Sequence, residues 1–276
     1  VRSLFIGLSL VLGTFAFAQE DWRIALNDAF GDVREHESIF MRLEGTTSTF
    51  GKESAILTDV FFRTVADGER DLLKLEIRNF VNGTDRVRTV ADGVALWQYD
   101  FLRNEYRTSR YGSYQGANPE NYRLRLFQSL ASQAKGPNQT IIQLLKDIYG
   151  REDAGFRDLM GNTRATYLID GSPATPDPVR PDWIYTPGIN DRYVMLYATG
   201  KLDKSFVFHL SRGDEDSPFV LKSIFGNEQD NVSRTTRTTE SSWRIDLYTT
   251  TIPSDANFKF IAPAGAKPIV SAGLTN

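Results

Sequence analysis

Val87 to Tyr106 reads VRTVADGVALWQYDFLRNEY, and the reading of the fold starts there. Two short apolar runs, Val87 to Val90 and Val94 to Tyr99, flank Asp92-Gly93, a dipeptide suited to a two-residue hairpin turn in which both central residues take positive φ. A tight antiparallel hairpin is expected. A second turn at Asp100-Phe101-Leu102 brings the chain back along Asn104 to Arg110, which adds a third strand and makes a meander. Trp97 and Tyr99 alternate with Leu96 and Gln98, so both large aromatics fall on one face of the sheet. That face is expected to line an apolar concavity.

Upstream, the same period of two recurs. Ser38 to Phe50 places Ile39, Met41 and Leu43 on one side and Arg42 and Glu44 on the other, and Gly51-Lys52 is read as the turn after it. Ala55 to Val65 returns with Val60 and Phe62 opposite Phe61 and Arg63. Asp71 to Val81 alternates most clearly, Leu73, Leu75 and Ile77 against Lys74, Glu76 and Arg78, so one side is buried and the other wet. Before these strands, Glu20 to His36 carries Trp22, Ala25, Leu26, Ala29, Phe30 and Val33 at helical spacing, which makes an amphipathic helix in need of a surface.

Downstream, the period lengthens. Pro119 opens a helix through Leu124, Leu126, Phe127 and Leu130, and Asn138 caps a second one with Ile141, Ile142, Leu144, Leu145 and Ile148. Residues 151 to 190 are read as irregular, with the Pro-rich GSPATPDPVRP from Gly171 to Pro181 as a surface insertion. Strands resume at Arg192 to Ala198, Ser205 to Ser211, Phe219 to Asn227 and Val232 to Thr251, followed by a Pro/Gly-punctuated tail with Phe258 and Phe260. The fold class is α+β, mainly β. About nine to eleven antiparallel strands form a strongly curved sheet wrapped around helices that cover one opening.

The chain has 276 residues, no cysteine and a net charge of −3. Residues 1 to 18, with Arg2, an apolar run and Ala16-Phe17-Ala18, fit a secretory signal peptide cleaved after Ala18. Residues 19 to 276 are then one domain in a periplasmic, unanchored, monomeric protein stabilised by its core rather than by disulfides. No basic stripe offers a nucleic-acid surface; Lys201, Lys204, Arg212, Arg234, Arg237 and Arg244 read as charge on the wet side of the last strands.

Catalytic signatures are missing. His36 and His209 are the only histidines, no Gly-x-Ser-x-Gly elbow occurs, and neither histidine belongs to a metal-ligand spacing. Asp214-Glu215-Asp216 lacks the calcium-loop pattern and reads as a solvated turn, as does Glu152-Asp153. Asn82-Gly83-Thr84, Asn138-Gln139-Thr140 and Asn231-Val232-Ser233 match the glycosylation acceptor pattern and are taken as chance. The expectation is a non-enzyme without cofactor or metal.

Three segments together resemble the LolA family of bacterial periplasmic lipoprotein carriers: Ala91 to Tyr106, the ending from Ser242 through Phe258, Phe260, Pro263 and Gly265, and the opening helix followed by three long strands. The resemblance implies an incomplete barrel with a helical lid over a cavity for acyl chains. It also implies a strand arginine that holds the lid shut, for which Arg63 is the matching position. The expected function is carriage of a lipid or lipoprotein acyl chain, with an envelope or inner-membrane partner protein. The alternative is an interaction or envelope-stress sensing module on the same fold. Cavity positions are Met41, Leu43, Val60, Phe62, Leu73, Leu75, Trp97, Tyr99, Met195, Tyr197, Phe206 and Phe208, an assignment that a one-residue strand slip reverses.

Overall fold

In a computed structural model the described residues are 24–67, 70–110, 126–131, 134, 137–149, 165–171, 191–198, 202–212, 219–230, 239–249 and 252–269. The expected signal peptide with Ala18, the Pro-rich stretch past Gly171, and the acidic clusters at Glu152 and Asp214 lie outside them.

The alternating segments form strands and the helically spaced ones helices. Helix α1 spans 24–35 and leads into β1 (Ser38–Thr49), β2 (Lys52–Asp67), β3 (Arg70–Val81), β4 (Thr84–Ala91), β5 (Ala95–Asp100) and β6 (Glu105–Arg110). Helix α2 is described over 126–131 and α3 is Pro137–Tyr149. Then come β7 (Ala165–Gly171), β8 (Asp191–Ala198), β9 (Leu202–Arg212), β10 (Phe219–Asp230), β11 (Thr239–Tyr248), a 3-10 turn at Asp255–Phe258 and the two-residue β12 (Lys267–Pro268). All twelve strands belong to one open sheet in the order β12-β6-β5-β4-β3-β2-β1-β11-β10-β9-β8-β7. Sequential neighbours pair antiparallel, β1 joins β11, and β12 alone runs parallel to its neighbour, β6.

Strong curvature follows from where one helix touches. Thr140 of α3 donates its hydroxyl to Glu228 of β10 at 3.2 Å, while Ile142, two residues on, lines a recess with Ile77, Thr89, Leu96 and Gln98 of β3 to β5. From β4 to β10 a flat sheet would span about 24 Å, twice the ~10–12 Å diameter of a helix. A helix can reach both places only if the sheet wraps around it.

Three expectations are corrected. At the central hairpin Gly93 takes positive φ (104°) and Asp92 does not: Ala91 pairs with Leu96, and the Asp92 carboxylate accepts from the amides of Val94 and Ala95 at 2.9 and 2.7 Å. The two-residue turns with positive φ at both centres are Asn82-Gly83 (51° and 72°) and Phe50-Gly51 (55° and 72°), the latter one residue before the expected Gly51-Lys52. Residues 165–171, read as irregular, form β7 at the sheet edge. The last long strand is described over Thr239–Tyr248, and its expected beginning at Val232 lies outside the described residues.

Candidate functional site

Cross-strand register settles which side chains share the concave face. Ile39 opposes Phe62, and Met41 opposes Val60 on one side and Leu247 on the other; Leu43 opposes Ile245. Val60 and Phe62 oppose Ile77 and Leu75, and Leu75 leads through Ala91 to Leu96. In the other direction Ile245 opposes Ile224, which opposes Phe208, and Gly226 opposes Phe206. The result is a largely apolar floor from β5 to β9, its large side chains buried, with Thr58, Asn79, Thr89 and Gln98 as polar interruptions; the Asn79 amide donates to the Thr58 hydroxyl at 3.1 Å. Since residues directly across a ladder have Cβ atoms only about 5 Å apart, such rows behave as one surface.

Helices cover this floor. Phe30 of α1 meets Phe208 edge-on at 6.1 Å, and Tyr149 of α3 stacks on Phe62 at 4.4 Å. The two helices are also tied to each other: Arg34 Nε donates to the Ile148 carbonyl, and the Tyr149 hydroxyl donates to the Val33 carbonyl at 3.3 Å. Both bonds satisfy carbonyls near helix C-termini, which the helices cannot satisfy internally. Beneath α2 and α3 a small recess, partly open to solvent and with room for about one water molecule, is lined by Ile77, Thr89, Leu96, Gln98, Leu130, Ala134 and Ile142. Over the described residues, helix side chains occupy the shell.

Of the expected cavity residues, Met41, Leu43, Val60, Phe62, Leu73, Leu75, Phe206 and Phe208 lie on the floor, buried. Trp97 and Tyr99 do not. They oppose Val90 and Arg88, on the convex face, while Leu96 and Gln98 point inward. Met195 and Tyr197 pair with Val207 and Ser205, register positions that alternate with those of Phe206 and Phe208; their side chains are outside what is described. Sequence reasoning left out Ile39, Ile77, Leu96, Ile224, Trp243 and Ile245, although Ile39, Ile77, Trp243 and Ile245 carried the same period-two signal as the residues chosen.

The convex aromatics have a cover of their own. Residues 252–269 run back across the outer face as a strap: Phe260 stacks on Trp97 at 5.2 Å and lies 5.5 Å from Tyr106. Lys267 and Ile269 donate their amides to the Asn104 and Tyr106 carbonyls. Arg63, expected to hold a lid, instead holds this strap. Its guanidinium donates to Asp255 Oδ1 at 2.7 Å and to the Pro253 carbonyl, and lies 5.3 Å from the Phe258 ring centroid. Glu76, fully buried under the same strap, accepts from Arg78, Arg88 and Asn257 at 2.9, 2.7 and 2.8 Å. Arg63→Ala should therefore free the strap without unseating the helices. Amide exchange over residues 254–269 should rise at least about tenfold, with a global cost of about 1–2 kcal/mol. Exchange confined to wild-type rates would contradict this anchoring.

Among the described residues no group of three or more His, Cys, Asp or Glu could hold a metal. His36 faces Asp32 at 3.9 Å on α1, and His209 Nδ1 lies 3.4 Å from Ser223 Oγ on the convex side. On the same side Arg244 pairs with Asp246.

No family model matches this sequence, and no curated protein matches it. Among solved structures, the chain is similar to an uncharacterized conserved protein from Thermus thermophilus, at 10% identity and TM-score 0.36, over 92% of this chain and 98% of that one. It is also similar to a DUF1329 family protein from Desulfovibrio piger, at 10% identity and TM-score 0.34, over 85% of this chain and 94% of that one.

Proposed function

We propose that this chain is an exported, periplasmic, non-enzymatic carrier of the LolA kind, which takes up a lipid or lipoprotein acyl chain between its concave floor and its helices. The observation that carries the reading is the floor itself: a broad, largely apolar surface on an open, curved sheet, covered by helices rather than by a second sheet. A helix face and an acyl chain are interchangeable occupants of such a surface, since apolar burial is non-directional. About a dozen methylenes at roughly 0.8 kcal/mol each supply about 10 kcal/mol of gross burial, set against the helix contacts they displace. The partner that loads or unloads the chain is an envelope protein.

The hydrogen bonds of Arg34 and of the Tyr149 hydroxyl tie α1 to α3 and suit a cover whose two helices move together, while the Tyr149 ring on Phe62 holds that cover to the floor. Gently purified protein should show acyl-chain adducts in native mass spectrometry, and the delipidated chain should bind a fluorescent long-chain fatty acid saturably. A clean apo protein that takes up no fatty acid at micromolar concentration would defeat the reading.

The small size of the recess under α2 and α3 favours a second reading, an interaction or sensing module whose interior stays filled. That protein would capture an envelope partner while ignoring fatty acid, so the same titration separates the two.

A further inference from the structure

Polarity on the concave face rises toward one edge of the sheet. Two cross-strand rows show it: Ile77 opposes Thr89, which opposes Gln98, which opposes Arg107, and beside it Leu75 leads through Ala91 and Leu96 to Ser109. Both rows start on the buried floor and end on β6. The recess beneath α2 and α3 lies where they turn polar, lined by Thr89 and Gln98 as well as by Ile77 and Leu96. Its apolar wall continues into the floor and its polar wall into the edge strand.

Two groups on β6 are left without partners among the described residues. Ser109 Oγ is buried with no hydrogen bond, a state that costs free energy unless a guest satisfies it. Arg107, two residues away on the same face, is exposed and makes no hydrogen bond or ion pair among the described residues. The carboxylates nearest to it on that face leave its charge standing. Asp100 accepts from the amides of Leu102 and Arg103 and faces the Arg103 guanidinium at 3.9 Å, and Glu105 forms no ion pair with Arg107. Directly opposed residues have Cβ atoms about 5 Å apart, so the long Arg107 side chain can reach past Gln98 to the open mouth of the recess.

We infer that this edge receives the head of the guest and that the guest is a free fatty acid: the tail lies on the floor, and Arg107 holds the carboxylate, with Ser109, Thr89 and Gln98 beside it. The inference rests on the carrier reading and narrows its substrate. An ionised carboxylate only accepts hydrogen bonds, and a guanidinium, two hydroxyls and a carboxamide all offer N–H or O–H groups. A recess with room for about one water molecule suits so compact a head. The acyl ester or amide of a lipoprotein carries no charge for Arg107 to meet, and a glycerophospholipid brings a far bulkier head.

The test is displacement of a neutral fluorescent acyl ester from the full chain by myristic acid and by methyl myristate, at a pH where the acid is ionised. The two competitors share a tail and differ in charge. The acid should displace the probe at least about tenfold more strongly than its ester, as a charge-assisted contact implies. Arg107→Gln should bring that ratio to about one, and Arg107→Lys, which keeps the charge, should restore part of it. Arg107 is exposed, so the unfolding midpoint of both variants should match wild type, which separates a lost head contact from lost folding. Equal displacement by acid and ester, a ratio that survives Arg107→Gln, or stronger displacement by phosphatidylglycerol than by the acid would each overturn the inference and leave the carrier reading standing. A probe that does not bind at all would defeat both.

Discussion

Gly226→Ala should lower the unfolding free energy by about 3 kcal/mol, at the upper end of what one added methyl does to a packed interior. Gly226 sits in β10 between Phe206 of β9 and Trp243 of β11, and the Trp243 indole lies across it. A Cβ there would collide with three indole carbons, Cζ2, Cη2 and Cε2. On the other side of Trp243, Gly45 of β1 leaves equally little room, because its Cβ would fall 2.6 Å from Trp243 Cβ and against the Ser242 carbonyl. The indole is boxed by two glycines and is only 3% exposed, so it has nowhere to rotate. Relief should come from the other partner. The double variant Gly226→Ala/Trp243→Leu should be at least about 1 kcal/mol more stable than the sum of its single changes predicts. Denaturant unfolding measures both quantities; a loss under about 1 kcal/mol for Gly226→Ala would contradict the packing described.

Tyr149→Ala should act in two directions. Its ring stacks on Phe62 and its hydroxyl reaches the Val33 carbonyl, so the change removes a buried aromatic contact and the tie between α3 and α1. A stability loss of about 3–4 kcal/mol is expected. Every floor side chain remains. If the guest competes with the helices, weakening their hold raises the population of open floor, and apparent fatty-acid affinity rises with that population. Uptake should strengthen by about tenfold or more even as the midpoint falls. Weaker uptake in a variant still folded at the assay temperature would mean that the helices form part of the binding surface.

The fold was legible wherever one face of a strand is charged, even where, as at Glu76, that face turns out to be covered by the strap rather than wet. β3 shows this, because Lys74, Glu76 and Arg78 mark the outer side and leave Leu73, Leu75 and Ile77 no alternative. β5 failed for the converse reason. Both its faces are apolar, Leu96 inward and Trp97 and Tyr99 outward, and a period of two cannot say which set faces the helices. What hides Trp97 is a strap whose Phe260 lies 163 positions away in sequence (260 − 97), a contact that local pattern does not encode. Arg63 was misread along with it, since its outward parity sends it to the strap instead of to a lid. The arrangement of Gly45, Trp243 and Gly226 was invisible for the same reason, being formed by β1, β11 and β10 only once they pair.

Exchange of helix for guest on the concave floor is the step on which the carrier reading depends, and the cysteine-free chain allows it to be blocked reversibly. Thr140 of α3 and Glu228 of β10 touch across the floor at 3.2 Å, so Thr140→Cys/Glu228→Cys can be joined by a short cleavable thiol crosslinker. Fluorescent long-chain fatty acid titrated into the joined protein should show no saturable binding, and cleaving the linker should restore it. Binding that is the same before and after cleavage would show that the fatty acid does not enter beneath α3.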